Sequence, residues 1–256
     1  MSPFDLKHLL GKPTLIWEKF HDKTKFKKLY PSTSPEKIPK TWIKVFFKEY
    51  PRLDRIILPP PQPFQNIKFE KILTTRKSAR IFSDSLVSIE QISNLLYYSA
   101  GLRDNKPPFV GNRTYPSGGA RYPLEVYLIS QNSELINGLY HYNLKQHSLE
   151  ILLNSYKLDL NRYFNQPWIK KAPLILVITA VFDRNTIKYG VRGYRHILQE
   201  SGHLGQNFYL VATALSMGVS GLGGYLDDRL NDLLNIDGIK ESAIYVLGMG
   251  NNFHAK

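Results

Sequence analysis

Residues 115–128 read YPSGGARYPLEVYL, and this stretch joins a glycine-containing turn to an apolar run. The run LEVYLIS at 124–130 is rich in aliphatic, β-branched and aromatic residues, which predicts a strand. Adjacent glycines let a backbone approach a flat ring closely, because a Cβ at those positions would collide with it. The stretch therefore predicts a ligand-binding turn or, on the simpler interpretation, an ordinary tight turn before a strand.

Strands and helices intermix on both sides of this stretch without a regular βαβ rhythm, which predicts an α+β fold. We expect a three-layer sandwich in which helices flank a central mixed β-sheet. Ser88 and Gln91 form a capping-box pattern at the start of one helix, and Gly218 is expected to end the longest one. Helices are predicted at 88–101, 191–217 and 227–235, and further strands at 139–143, 148–153, 174–182 and 242–250.

The proline-rich segment LPPPQPF at 58–64 is the clearest break in the chain, because it cannot lie inside a helix. We expect residues 1–64 to form a basic, helical N-terminal extension with a proline-rich connector. Residues 65–256 are then expected to form the main domain.

The composition excludes several classes of protein. With 43% hydrophobic residues, the chain is not of the disordered class. With no cysteine, it has no disulfide framework, zinc knuckle or cysteine nucleophile, and a reducing cytoplasm is the expected location. The opening MSPFDLKHLLGKP lacks the continuous apolar region of a signal peptide, and no run approaches the roughly 18 apolar residues of a membrane span.

The chain is basic, with a formal net charge of +13. Residues 1–60 contain 13 basic and 6 acidic side chains, so much of this surplus lies in the first quarter. Such a surplus attracts a phosphate group, an acidic peptide or an acidic partner, although a solvated lysine-rich surface remains the simpler interpretation. We do not expect nucleic-acid binding, because no nucleic-acid recognition motif accompanies the charge.

The segment RKSAR places Arg76, Lys77 and Arg80 around the hydroxyl of Ser78. These donors suit a phosphate group, and arginine adds a two-pronged hydrogen-bonding geometry. Taken alone, the segment is more typical of a solvated basic loop.

Two histidines and a glutamate on one predicted helix face offer a metal site as an alternative. His196, Glu200 and His203 follow a spacing of four and three residues, which places them on one face of the predicted helix. We expect no metal there, because no further histidine or carboxylate cluster stands nearby in the sequence.

Taken together, RKSAR at 76–80, PSGGA at 116–120 and SGLGGY at 220–225 resemble three segments of the nitroreductase superfamily. The stretch IKYGVRGYRHILQESGHLGQN at 187–207 is similar to its SagB-type, FMN-dependent azoline dehydrogenases. The resemblance implies a nitroreductase-like, FMN-binding domain at 65–256 and a homodimer with flavin at the subunit interface. It implies FMN contacts at Arg76, Lys77, Ser78, Arg80, Pro116, Ser117, Gly118 and Gly119, with a backbone N–H of Gly223 or Gly224 against flavin N5.

The same resemblance gives Lys188 and Tyr189 an active-site role. Aromatising a thiazoline or oxazoline removes a Cα proton and transfers a Cβ hydride to the flavin. A lysine desolvated beside the flavin could act as the base, and a tyrosine could relay the proton or orient the substrate. The implied activity is azoline oxidation in a ribosomally made, modified peptide, with O₂ as the final acceptor and a cyclodehydratase complex as a possible partner.

Two alternatives stay open. One is an NAD(P)H-dependent nitro- or quinone reductase on the same fold, and the other is a non-catalytic, flavin-free binding subunit. The second alternative is supported by the C-terminus, where Asn251 and Asn252 follow the last predicted strand in place of the basic residue that many nitroreductases carry. Beyond these asparagines, the only residues with a basic side chain are His254 and Lys256.

Overall fold

The computed structural model describes residues 15–25, 39–43, 46–104, 111–154 and 158–252. Within these ranges the chain forms seven α-helices and nine β-strands. The helices are α1 (Ile16–Lys23), α2 (Lys40–Ile43), α3 (Phe69–Thr75), α4 (Ile89–Ala100), α5 (Asp183–Tyr189), α6 (Gly193–Ala214) and α7 (Asp227–Leu234). The strands are β1 (Arg55–Ile57), β2 (Leu102–Asp104), β3 (Asn112–Arg113), β4 (Leu124–Ser130), β5 (Gly138–Asn143), β6 (Ser148–Asn154), β7 (Leu174–Val181), β8 (Met217–Leu222) and β9 (Glu241–Asn251).

Seven of these strands form one sheet in the order β1-β6-β5-β4-β7-β9-β8, and β2 and β3 form a separate pair. We predicted a mixed sheet, but every pairing between neighbouring strands of the large sheet is antiparallel. Parallel pairing occurs only as isolated bridges, such as that between Ser78 and Val219. Strands β7 and β8, which α5 and α6 connect, do run parallel to each other, but β9 lies between them, so they do not pair directly.

The sheet buries apolar side chains on both faces, which confirms the three-layer sandwich. On one face, Leu124 and Leu176 pack with α4 and α6 in one cluster of buried residues. On the other face, Tyr127 and Val177 pack in a second cluster with α7 and the short turns around Phe164. Because alternate residues of a strand point to opposite faces, the long apolar run of β7 supplies both clusters.

Helix α4 forms as its capping pattern predicts. The Ser88 hydroxyl accepts a hydrogen bond from the Gln91 backbone N–H, and the Gln91 side chain accepts one from the Ser88 backbone. Gly101 is the C-cap, but its φ of −67° is not left-handed. A Cβ on Gly101 would lie 2.4 Å from the Tyr97 carbonyl oxygen, so close approach explains this glycine.

Helix α6 corresponds to the long helix predicted at 191–217 and is shorter at both ends. Lys188 and Tyr189 end α5, a 3-10 turn follows at Gly190–Arg192, and α6 begins at Gly193. Gly190 has φ 54° and ψ −145°, a conformation that only glycine adopts readily, and the chain bends there.

The prediction that Gly218 ends this helix is wrong, because α6 ends at Ala214 and Gly218 lies within β8. Two glycines made this segment look like a turn. A Cβ on Gly221 would lie 2.6 Å from the Tyr245 hydroxyl oxygen, and one on Gly218 would lie 2.8 Å from the Ala79 Cβ. The strand needs these glycines because neighbouring side chains fill the space beside it.

The N-terminal region contacts the main domain at several places. Strand β1 pairs with β6 at the sheet edge. The Thr24 hydroxyl after α1 accepts a hydrogen bond from Arg195 Nε at 2.6 Å, and Arg192 donates to the Thr24 carbonyl at 3.0 Å. Among the described residues, no helix is long and apolar enough to cross a membrane.

Candidate functional site

The first candidate region, here called the glycine-side cluster, consists of Pro116–Gly119, Lys188, Tyr189, His196 and Glu200. Gly119 has a φ of 65°, which disfavours any residue with a Cβ. A Cβ built there would lie 2.3 Å from the Tyr189 hydroxyl oxygen and 2.9 Å from Lys188 Nζ. The structure therefore brings the predicted catalytic pair directly against the predicted glycine loop.

His196 on α6 packs on the other side of this loop. A Cβ on Gly118 would lie 3.4 Å from the His196 Cβ, and the His196 ring meets the Tyr189 ring edge-on at 4.7 Å between centroids. Burial and the nearby Arg192 cation lower the pKa of His196, so its imidazole is neutral at pH 7. The Tyr189 ring is thus held between the loop and a neutral aromatic neighbour.

The Lys188 amine lies over two aromatic rings. Its Nζ is 5.3 Å from the Tyr189 ring centroid and 5.8 Å from the Trp42 ring centroid. Helix α2, which carries Trp42, is itself held by a hydrogen bond from the Arg121 guanidinium to the Trp42 carbonyl at 2.7 Å. These contacts attach the N-terminal region to the predicted catalytic pair, and no sequence motif had indicated Trp42.

Ser117 connects the glycine loop to a buried carboxylate. Its hydroxyl donates to Glu200 Oε2 at 2.7 Å and accepts from the Tyr122 backbone N–H at 2.8 Å. Glu200 is 1% exposed, and its Oε1 accepts no hydrogen bond from any described residue. Burial raises the pKa of Glu200 to about 7, although Ser117 and Arg113 act in the opposite direction.

A network of buried charges underlies the cluster. Arg113 hydrogen-bonds to the Tyr115 hydroxyl at 2.8 Å, and its charge acts on both Glu125 and Glu200. Glu125 is bound by Arg184 and by His141 Nε2. Burial raises the pKa of Glu125, but Arg184 and His141 outweigh it and lower the value to about 2. The two buried carboxylates therefore differ: Glu125 is fully ionised at pH 7, and Glu200 is divided between its two forms.

A cavity of about 570 Å³ opens beside α5. Its lining combines Phe46 and Phe47 with the charged side chains of Lys48 and Arg121, and Ile187 of α5 forms one wall. Because Ile187 precedes Lys188 directly, this cavity adjoins the predicted catalytic pair along the chain.

The second candidate region, here called the phosphate-side cluster, is the loop Arg76–Arg80. Lys77, Ser78 and Arg80 line a cavity of about 650 Å³, together with Thr213 and Asn252. The loop runs beside β8, where the Ala79 N–H donates to the Val219 carbonyl at 2.9 Å. Asn252, one of the two asparagines that stand in place of the basic residue of many nitroreductases, lines this cavity. His254 and Lys256 fall outside the described residues.

Arg76 and the predicted flavin-N5 turn meet at Tyr209. The Arg76 guanidinium lies 5.5 Å from the Tyr209 ring centroid, and the Tyr209 hydroxyl accepts a hydrogen bond from the Gly221 N–H at 2.6 Å. Gly223 and Gly224 follow β8 as exposed residues, and a Cβ on either would have nothing within 4 Å. Their openness leaves room for a flat ligand.

The two clusters lie at opposite ends of α6 in the same chain. His196 contacts the glycine loop, and Tyr209 contacts Arg76. Tyr209 follows His196 by thirteen positions, which corresponds to about 20 Å along the helix. The structure therefore joins Lys188 and Tyr189 to Ser117–Gly119, and it places Arg76 beside Tyr209 of α6. It does not join the two groups within one chain.

The two glycines inside α6 have different surroundings. A Cβ on Gly205 would lie 2.4 Å from the Tyr245 ring, so this glycine is explained within the chain. Gly202 is exposed, and a Cβ there would have nothing within 4 Å.

The metal alternative finds no support in the geometry. Within the described ranges, no three histidine, cysteine or acidic side chains are grouped so that they could hold a metal ion. Glu200 is buried against Ser117, whereas His203, one turn further along α6, is exposed.

The segments that build both clusters match a known family. The profile described as "Nitroreductase family" matches residues 73–251, which include both clusters and the sheet between them. The chain belongs to the nitroreductase family. A nitroreductase-family protein of Methanocaldococcus jannaschii is 33% identical over 190 residues, which cover 73% of this chain and 92% of that protein.

Two further similarities concern the microcin B17 system of Escherichia coli. The microcin B17-processing protein McbC is 33% identical over 159 residues, 59% of this chain, and the match spans only 57% of McbC. A chain of the microcin synthetase McbBCD complex, solved with truncated pro-MccB17 bound, superposes with a TM-score of 0.59 at 27% identity. That superposition covers 92% of this chain and 91% of the other.

Proposed function

We propose that this nitroreductase-family protein is an FMN-dependent dehydrogenase that oxidises thiazoline or oxazoline rings in a ribosomally made, modified peptide. The observation that carries the proposal is the contact of Lys188 and Tyr189 with the Gly119 loop. A lysine amine and a phenol converge there within 3 Å of one Cβ position. A reductase that takes hydride from a nicotinamide has no need of a base at that place, whereas azoline oxidation must remove a proton.

The peptide substrate is supported by the relatives. McbC is named for processing microcin B17, and the McbBCD complex was solved with a truncated form of pro-MccB17. The cavity of about 570 Å³ beside α5 adds to this support, because its aromatic and charged walls suit residues that flank a ring. A synthetase complex that includes a cyclodehydratase is the proposed assembly, as the similarity to a McbBCD chain suggests.

FMN fits the residues that are present. Lys77, Ser78 and Arg80 provide cations and a hydroxyl around one cavity, which suits a phosphate. Gly223 and Gly224 leave backbone open to a flat ring. Bound FMN would supply the two-electron acceptor, with O₂ as the final oxidant.

A homodimer is proposed because one chain separates the two clusters by about 20 Å along α6. In a symmetric pair, the phosphate-side cluster of one copy can face the glycine-side cluster of the other, so that two equivalent sites form. The exposed Gly202 on α6 supports a close contact between copies at that helix.

The roles of the chain's own groups follow from their positions. Lys188 is proposed to accept the Cα proton, and Tyr189 to orient the ring or relay that proton. Because Gly119 has no Cβ, the Tyr189 hydroxyl and the Lys188 amine can lie directly against the loop. Trp42 covers the Lys188 amine from the N-terminal side.

The test is an anaerobic absorbance spectrum of protein reconstituted with FMN, before and after addition of an azoline-containing peptide. We expect the flavin band to bleach with the peptide and only slowly with NAD(P)H. Lys188→Ala should retain FMN and lose bleaching by the peptide, whereas the exposed Lys240→Ala should behave as the unaltered protein. Rapid bleaching by NAD(P)H alone would favour a reductase, and protein that takes up no FMN would contradict both enzyme functions.

A further inference from the structure

Ser117 has a limited number of hydrogen bonds, and the structure uses them in a particular way. A hydroxyl donates one hydrogen bond and accepts two. One acceptor position is filled by the Tyr122 N–H at 2.8 Å, and the single hydrogen points to Glu200 Oε2 at 2.7 Å. While Glu200 is ionised, Ser117 therefore has no hydrogen to offer to a ligand in the glycine loop.

Protonation of Glu200 changes this arrangement. A protonated carboxyl can donate to the second acceptor position of the Ser117 oxygen, and the Ser117 hydrogen is then free to bond elsewhere. The exchange needs no movement of the backbone, since the two oxygens already lie at hydrogen-bonding distance. Glu200 is 1% exposed, so its charge is poorly solvated, and the Ser117 hydroxyl and the Gly118 backbone are the hydrogen-bonding groups that favour its ionised form.

We propose that Glu200 is a positioning residue that sets the direction of the Ser117 hydroxyl and thereby decides whether this hydroxyl can donate a hydrogen bond to FMN. The inference rests on the proposed function, because FMN is the ligand that the loop would serve. Glu200 acts through Ser117 and need not touch the flavin or the substrate.

The groups around Glu200 set the pKa of its carboxyl in the neutral range. Arg113 of β3 favours the ionised form, and the Tyr115 phenol bound to Arg113 stays neutral because burial raises its pKa. His196, one turn earlier on α6, is neutral. Burial of Glu200 opposes ionisation and raises its pKa to about 7. Lys188 of α5 lies across the glycine loop, next to Gly119.

The experiment measures FMN affinity of the full chain by quenching of flavin fluorescence at pH 6 and pH 8. The unaltered protein should bind more tightly at pH 6 by about fivefold, the worth of one neutral hydrogen bond. Glu200→Gln and Ser117→Ala should each lose this part of the pH dependence, and the double variant should lose no more than either. The titration of the FMN phosphate contributes equally to all variants and cancels in the comparison.

The exposed Glu90→Gln is the matched control and should keep the full pH dependence. An identical pH dependence in the unaltered protein and in Glu200→Gln would overturn the inference. Additive losses in the double variant would also overturn it, because they would show that Glu200 does not act through Ser117.

A second readout does not need FMN. In the flavin-free protein, the unfolding temperature of the unaltered chain should fall between pH 6 and 8 relative to Glu200→Gln. Ser117→Ala should move that fall to higher pH, because the ionised carboxyl loses its donor. If the protein binds no FMN at all, the proposed function fails, while this profile still decides the Glu200–Ser117 coupling. Parallel unfolding profiles in all three proteins would contradict it.

Discussion

The two clusters at the ends of α6 are built in opposite ways. In the phosphate-side cluster, Lys77, Ser78 and Arg80 are exposed, and no described carboxylate forms a salt bridge with either cation. In the glycine-side cluster, Ser117 is tied to a buried carboxylate and Gly119 is enclosed by Tyr189 and Lys188. The difference indicates a division of work. One end leaves its cations exposed to solvent, and the other holds a small number of groups in enclosed positions, as the proposed chemistry requires.

The largest effect is expected from Gly119→Ala. The new Cβ would overlap the Tyr189 hydroxyl, and the backbone conformation disfavours alanine by about 1–2 kcal/mol. Peptide-dependent turnover should fall by roughly 100-fold or more, which corresponds to about 3 kcal/mol in the barrier. Stopped-flow bleaching of the flavin band measures this.

Gly238→Ala is the matched control, because Gly238 also has a positive φ of 67° and one close neighbour, Asn231 Nδ2 at 2.9 Å. It lies in the turn after α7. Turnover of folded Gly238→Ala should equal that of the unaltered protein. An equal loss in both variants would mean that backbone strain alone, and not the contact with Tyr189, lowers activity.

The pH dependence of stability tests the buried charge network that underlies the glycine-side cluster. The pKa of Glu125 is about 2 in the folded protein and near 4.5 in the unfolded chain, so its contribution is present above pH 4.5 and is lost as the pH falls towards 2. The difference is worth about 3 kcal/mol. Glu125→Gln should therefore lower the free energy of unfolding by that order at pH 7 and much less at pH 3.

Chemical denaturation at several pH values tests this, with the exposed Glu90→Gln as control. The stability that Glu200 contributes depends on pH with the opposite sign. Its raised pKa means that its favourable contribution is present below pH 4.5 and is lost as the pH rises through about 7. A stability profile of Glu125→Gln that runs parallel to that of the unaltered protein would contradict the ion-pair network.

At the phosphate-side cluster, Arg80→Ala should weaken FMN binding by about tenfold, in keeping with the loss of one charge-assisted hydrogen bond. The loss should shrink at high salt, because the cation is exposed. Lys71→Ala, an exposed cation on α3, removes the same charge from the same neighbourhood. It should cost much less than tenfold, and an equal loss would indicate general electrostatic attraction in place of a phosphate site.

The smallest effect concerns Gly202. In an isolated helix, alanine stabilises by about 1 kcal/mol relative to glycine, and nothing in the chain opposes the new Cβ. We expect Gly202→Ala to raise monomer stability by that amount and to weaken the proposed dimer, seen by analytical ultracentrifugation. Gly205→Ala should instead destabilise the monomer, because its Cβ would strike Tyr245. An unchanged dimer constant for Gly202→Ala would place the interface elsewhere.

Local sequence signals predicted the elements whose reasons are local. Helix α4 follows from its Ser88 and Gln91 capping pair, and β4 and β7 follow from apolar runs bounded by turn residues. Strand β8 was missed because Gly218 and Gly221 are typical of turns. The side chains that require them, from Ala79 and Tyr245, lie far away in the sequence.

The site was predictable in its parts but not in its arrangement. Resemblance indicated Lys188, Tyr189 and the glycine loop, yet only the structure shows that Gly119 is the point where they meet. Glu200 did carry a signal, since it lies on the buried stripe of α6 that includes Ile197 and Leu204. A carboxylate on an apolar stripe indicates a buried partner, and pattern alone could not name Ser117.

The central claim is that two copies of the chain join the two clusters into one flavin site, and mixing two inactive variants tests it most directly. Arg76→Ala/Arg80→Ala removes only the phosphate side, and Gly119→Ala/Lys188→Ala removes only the glycine side. After the two proteins are unfolded and refolded together, each mixed dimer should contain one intact site. About a quarter of the unaltered peptide-dependent activity should return, since half of the dimers are mixed and each regains one of two sites. Activity no higher than that of either variant alone would contradict the shared site.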